Sequence, residues 1–367
     1  MGDMFGDLFK LLGQQGPDAW YQTATQLALT VARGDDGDPN PLPRERQRLE
    51  EFAPLVGRHV DALFGVVTDT EVTAVNRTGL TIAALAQWKP LLDPLTKNPP
   101  SMDLDAVEGN ALMAQLAGSL GPMFLGFQMG SVAGHFSERA WSLGALALPR
   151  DTPQRMIVVN NVAAFAQEWS LDADEVNVFA LAREFVASLI LSQPGTGDAL
   201  RALLVDAVRE SAAAQGDVLG RLQGMLNPDN IASFMSNPEA LLDGIELPGE
   251  TDATRAINAA SAVLMAVFDA AARDVTVAVM GPRPLLVEAW HRHRVSDARG
   301  EDAAAALFGI SNQGPAHDAA RSFVDDIINA HGWGAFSALL RVDGLPGDTE
   351  LTAPDAWYER VTNSPLA

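Results

Sequence analysis

The sequence predicts a mainly α-helical protein with few short strands, and three observations carry that expectation. Apolar residues recur at helical spacing along most of the chain. One stretch, Arg155-Met156-Ile157-Val158-Val159, is the best strand candidate. Apolar residues make up 47% of the 367, enough to build a large core and to argue against global disorder. The expected organisation is an N-terminal helical lobe over residues 1–100 and a helical domain over 101–367, or the two as one continuous domain.

In chain order, Met1 to Leu12 is short and amphipathic through Met4, Phe5, Leu8, Leu11 and Leu12, which suits docking onto the domain better than export. Asp18 to Arg33 places Trp20, Ala24, Leu27, Ala28 and Val31 on one helical stripe. Gly34 to Pro41 is a breaker-rich loop. Arg44 to Val66 reads as a helix, and Val67 to Asn76 as a polar, β-branched stretch. Thr81 to Trp88 is apolar and is expected to stop at Lys89-Pro90, because proline blocks continuation. Ala106 to Trp141 is apolar and punctuated by glycine. Gly126, Gly130 and Gly134 recur every four residues, a small-residue stripe that lets another helix approach closely.

Asn161 to Trp169 and Asp172 to Leu191 read as helices. The second opens on Asp172 with Glu175 three residues on, the spacing of a capping box. Gly197 to Leu226 follows as one or two helices, Pro228 to Leu242 as a shorter piece and Gly244 to Asp252 as a loop. Ala253 to Met280 is a long, central helix. Arg283 to Arg294, Asp302 to Phe308 and His317 to Leu340 are further helices, and Leu345 to Arg360 reads as short polar turns.

Composition excludes some chemistry. The chain has no cysteine, so disulfides, thiolate metal sites and cysteine nucleophiles are absent, which fits a reducing, cytoplasmic setting. Net charge is −22, which repels phosphate backbones and argues against nucleic-acid binding. The basic cluster His291-Arg292-His293-Arg294 is too small to reverse that field. No apolar run of about 18 residues exists, so no membrane span is expected. No Gly-x-Ser-x-Gly elbow and no phosphate-binding loop is present.

The segment Leu181-Ala182-Arg183-Glu184-Phe185-Val186-Ala187 is the most informative stretch. Arg183 and Ala187 are four residues apart and face one side of a helix. Two histidines at those positions would bind one zinc ion, with the glutamate polarising its water. Here the first is a cation that cannot ligate zinc and the second a methyl group. His291 and His293, two apart on a helix, diverge by roughly 200° and cannot share a metal. His59, His135, His317 and His331 are isolated.

Several segments in order carry a family resemblance. They are Leu8 to Trp20, Trp88-Lys89-Pro90-Leu91-Leu92-Asp93-Pro94, Gly126-Phe127-Gln128-Met129-Gly130, Leu146-Ala147-Leu148-Pro149, Asn161-Val162-Ala163-Ala164-Phe165-Ala166, and Leu345-Pro346 with Pro354 and Trp357. On these the chain resembles the actinobacterial zincin-like family of zinc-dependent metalloproteases or hydrolases, a domain of unknown function, and would be a degenerate member of it. The resemblance implies a zincin-like helical fold. It also implies one branch with His-Glu-x-x-His and a second with Arg-Glu-x-x-His. Leu181, Arg183 and Glu184 match the second, and Ala187 departs from it.

By the resemblance, Glu184 is a vestigial general base, Arg183 replaces the first ligand and Ala187 the second, while the acidic third-ligand position falls at Asp269 or Ala270. Arg183 is then expected to take the place of the metal's positive charge and to pair with a buried carboxylate, Glu184, Asp269 or Asp274. The implied role is that of a catalytically inactive binding or scaffold protein, with no metal or other cofactor, for a peptide, a protein or a small molecule. The alternative is a zinc-dependent hydrolase or peptidase with displaced ligands. A third reading is an oligomerisation module, a homo-oligomer built on the glycine stripe.

Overall fold

The computed structural model describes residues 19–34, 37–97, 126–223, 251–295, 299–311 and 314–363. The N-terminal amphipathic segment and the 228–242 helical piece lie outside them. In chain order the main elements are α1 (Ala19–Arg33), α2 (Pro43–Phe64), β1 (Thr73–Val75), α3 (Arg77–Lys97), α4 (126–139), β2 (Met156–Val158), α5 (Val159–Glu168), α6 (Ala173–Leu191), α7 (Pro194–Gln223), α8 (Asp252–Met280), α9 (Pro284–Val295), α10 (Arg299–Leu307), α11 (Pro315–His331) and α12 (Pro354–Asn363). The fold is mainly helical, as the periodicity predicts.

Helix α6 lies at the centre. Every residue from Val178 to Leu191 is buried, which is why its apolar positions surround the helix instead of marking one stripe. Its start is set by Asp172, whose carboxylate accepts the N–H groups of Asp174 and Glu175 at 2.9 and 3.2 Å. The reciprocal arm of the expected capping box does not form, because Glu175 turns to Arg283 at 2.7 Å. Helix α8 packs along α6, α2 and α5 cover other sides, and α11 backs α8. Helix α8 opens on Thr251, which accepts the Thr254 N–H.

β1 and β2 pair in parallel, with Thr73 opposite Met156, Ala74 opposite Ile157 and Val75 opposite Val158. The first of these strands lies inside the stretch that reads as merely polar and β-branched. The Val158 N–H donates to Trp141 O at 2.8 Å, which ties the segment after α4 to the sheet.

Three further sequence expectations are corrected. Helix α3 does not stop at Lys89-Pro90. It begins at Arg77 and runs through Pro90 and Pro94 to Lys97. Its start is satisfied from outside, since the Asp38 carboxylate accepts the Arg77 and Thr78 N–H groups and Asn76 Oδ1 accepts that of Gly79. Beyond Pro90, burial of Trp88 and Leu92 and the Lys89–Asp93 ion pair at 2.8 Å favour continuation. The stretch from Leu345 to Arg360 is turn-like only as far as Ala353, with a short 3-10 segment at Asp348–Thr352, and then becomes a helix. Pro354 sits at the start of α12, where a missing N–H costs nothing, and Trp357 and Val361 bury one face of it. The helical stretch from His317 to Leu340 divides at Gly332, which takes φ +74° before a 3-10 segment, Trp333–Leu340.

The glycine stripe on α4 packs against α1. A Cβ on Gly130 would lie 2.6 Å from Ala24 O, and one on Gly134 would lie 2.5 Å from Val31 Cβ. Among the described residues, no helix is long and apolar enough to cross a membrane.

Candidate functional site

Arg183 and Glu184 sit side by side in the middle of α6, 4% and 0% exposed. Desolvating an ion pair costs several kcal/mol, repaid only by good geometry. The fully buried Phe179, Leu181, Phe185, Val186 and Ile190 around it each contribute roughly 1.5–3 kcal/mol. The helix can therefore hold charge at its centre provided that charge is paired, and it is.

Glu184 is held by Arg150, which donates Nη1 to Oε1 at 2.7 Å and Nη2 to Oε2 at 3.0 Å. The Gly144 N–H adds a third donor to Oε2 at 3.2 Å. Arg183 makes a separate set of contacts. Its Nε donates to Asp269 Oδ1 at 2.8 Å and its Nη1 to Gly144 O at 2.8 Å. Its guanidinium also lies 5.2 Å from the Trp290 ring. Arg294 donates to the other oxygen of Asp269 at 2.6 Å. Burial alone would push the Asp269 pKa up, but Arg294 and Arg183 outweigh it and hold the carboxyl below its ordinary range.

A short turn joins the two pairs. Ser142 caps the 3-10 segment Leu143–Ala145 by accepting the Gly144 N–H, and the Arg150 N–H donates to Leu191 O at 2.9 Å. Gly144 therefore offers its N–H to Glu184 and its carbonyl to Arg183. It must be glycine, because a Cβ there would lie 2.8 Å from Ala187 Cβ and 3.0 Å from Glu184 Oε2. Arg155, 5% exposed, stacks on the Phe185 ring at 4.6 Å. Burial lowers its pKa, and the nearby Glu184 charge opposes that shift.

Of the predicted positions, Arg183, Glu184, Ala187 and Asp269 all meet at this one place. Asp269, not Asp274 or Glu184, is the carboxylate on Arg183; Asp274 instead accepts from Arg273 and Trp333. Ala270 is buried on the same helix beside it. Sequence reasoning missed Arg150, Gly144 and Arg294. Arg150 directly follows the Leu146-Ala147-Leu148-Pro149 segment, and a charge at the end of so apolar a run was the available signal. Arg294 was visible only as part of a basic cluster.

The fold and this site define a helical protein whose central helix carries a buried Arg183-Glu184 pair, each member held by a separate charged partner. The chain belongs to the zincin-like metallopeptidase family, whose model matches residues 20–358. A crystal structure from Chloroflexus aurantiacus, described as "a putative hydrolase with a novel fold", is similar at a TM-score of 0.61 and 15% identity, covering 94% of this chain and 99% of that one. A comparison with curated proteins finds no match.

The family implies zinc, and the residues here do not fit it. Both Glu184 oxygens accept arginine N–H groups, both Asp269 oxygens do the same, and Ala187 brings only a methyl that cannot ligate. Among the described residues no group of three His, Asp or Glu side chains converges to hold a metal ion. In this arrangement both Glu184 oxygens accept from Arg150, and Oε2 accepts from the Gly144 N–H as well.

Proposed function

We propose that this chain is a zincin-like protein in which two arginine–carboxylate pairs take the place of the catalytic metal, and that it acts as a binding or scaffold protein instead of a peptidase. The observation that carries this reading is the two-point clamp of Arg150 on Glu184 beneath the Arg183–Asp269–Arg294 bridge. A guanidinium supplies the positive charge that a zincin draws from its metal. It fixes the carboxylates but offers no open coordination position and no activated water.

The test is the unfolding midpoint of the full chain in chelator, in buffer and with added zinc, alongside Arg183→Ala. The midpoint should be the same in all three conditions. Arg183→Ala should lose about 2–4 kcal/mol, since it leaves Arg294 alone on Asp269 and the Gly144 carbonyl without its donor. A midpoint lowered by chelator, or an Arg183→Ala variant as stable as the parent, would contradict the reading.

A further inference from the structure

A cleft of about 340 Å³ opens beside the aromatic cluster at the ends of α4 and α9. Its walls include Arg77, Glu138, Arg139, Phe165, Glu168 and His293, and none of Arg183, Glu184, Ala187 or Asp269. The volume is at the small end of ligand sites, which run from roughly 300 to 1,000 Å³.

Arg77 is held in position rather than loose on the surface. Its Nε donates to Asn161 Oδ1 at 2.8 Å. Asn161 is 4% exposed, and its Nδ2 donates to Ser137 O and Ala140 O at 2.9 and 2.8 Å. The amide is thereby fixed, and it fixes the guanidinium plane. The two terminal nitrogens of Arg77 make no hydrogen bond among the described residues, and Arg77 lines the cleft, so its fork of donors is available there. Such a fork matches a carboxylate.

The opposite charge is present as well. Glu168 is exposed at the end of α5, and Glu138 lies on α4, 3.3 Å from His135. Between these walls Phe165 packs edge-on against Trp141 at 4.9 Å and His293 at 5.0 Å, which makes one side rigid. The cleft thus carries two arginines and two glutamates. A ligand of one sign would meet like charge on one wall, whereas a ligand with both signs meets opposite charge on each.

We propose that this cleft binds a small zwitterion of amino-acid or dipeptide size, its carboxylate on the Arg77 fork and its ammonium toward Glu168 and Glu138. The proposal names a ligand class for the binding role above and rests on it.

The experiment is isothermal titration of the full chain with L-leucine, L-phenylalanine and glycyl-L-phenylalanine, each also as its N-acetyl and its carboxamide form. At least one zwitterion should bind at one per chain, and blocking either end should weaken it by about tenfold or more. Arg77→Gln should weaken it by about tenfold to a hundredfold. Glu168→Gln, at an exposed position that does not threaten folding, should weaken the ammonium-bearing form and leave the N-acetyl form unchanged. No binding by any of the three, equal binding of the blocked forms, or affinity unmoved in both variants would overturn the proposal. Zinc uptake would sink the metal-replacement reading without affecting these titrations, because the cleft shares no residue with that site.

Discussion

At the scale of single residues, the site turns on how each carboxylate oxygen is occupied. Ala187 is packed with no slack. It is fully buried, and its methyl lies so near the Gly144 turn that a Cβ built on Gly144 would come within 2.8 Å of it. Ala187→His is therefore expected to destabilise the fold by about 1–3 kcal/mol in chemical denaturation, as overpacked cores do, and to bring no zinc with it. His293 gives a pH signature. Burial, helped by the Arg139 charge, lowers its pKa from 6.5 to about 4. The folded ring stays neutral while the unfolded chain takes a proton, so this stabilisation is complete above pH 6.5 and is lost as pH falls toward about 4. A ring titration by NMR should show the low midpoint, and His293→Gln should flatten stability between those limits; a midpoint near 6.5 would contradict this.

What was legible at this scale came from local spacing and the family resemblance together. Spacing places Arg183 and Ala187 on one helix face, but alone it leaves Arg183-Glu184 an ordinary charged pair; the family resemblance singles out the three residues. Arg150 could not be read, because it reaches Glu184 across 34 residues through a turn that no periodicity announces. Asp269, 86 residues from Arg183, was reached only through the family resemblance.

At the scale of elements, most helices were readable from their stripes and breakers, and the failures have physical causes. Helix α3 runs through two prolines because tertiary burial and an i,i+4 ion pair outweigh a missing hydrogen bond, which a local rule cannot weigh. Strand β1 is three residues long, too short to show an alternation, and it exists because β2 lies beside it. The glycine stripe was legible as a close-packing face but not as to its partner, which is α1. Gly130→Leu should force α1 off α4 and destabilise by about 1–3 kcal/mol in denaturant melts, with no change in mass by light scattering. A stable variant whose mass falls would instead place the stripe at a contact between copies.

At the scale of the whole molecule, the fold buries a lattice of paired charges, Arg150–Glu184 and Arg183–Asp269–Arg294, at its centre. Around it, a chain of net charge −22 gathers Arg150, Arg155, Arg183 and Arg294 at its centre. Net negative charge and a cationic centre coexist, because the centre's arginines supply fixed positive charge to Glu184 of α6 and Asp269 of α8. Composition revealed the first and concealed the second, because a net charge says nothing of where the arginines lie.

The most direct test is zinc content by elemental analysis of protein purified without a metal-affinity tag, before and after incubation with zinc. The account predicts far less than one zinc per chain in both samples, with Asp269→Asn and Glu184→Gln no different from the parent. One zinc per chain, lost in either variant, would contradict it and return this site to metal catalysis.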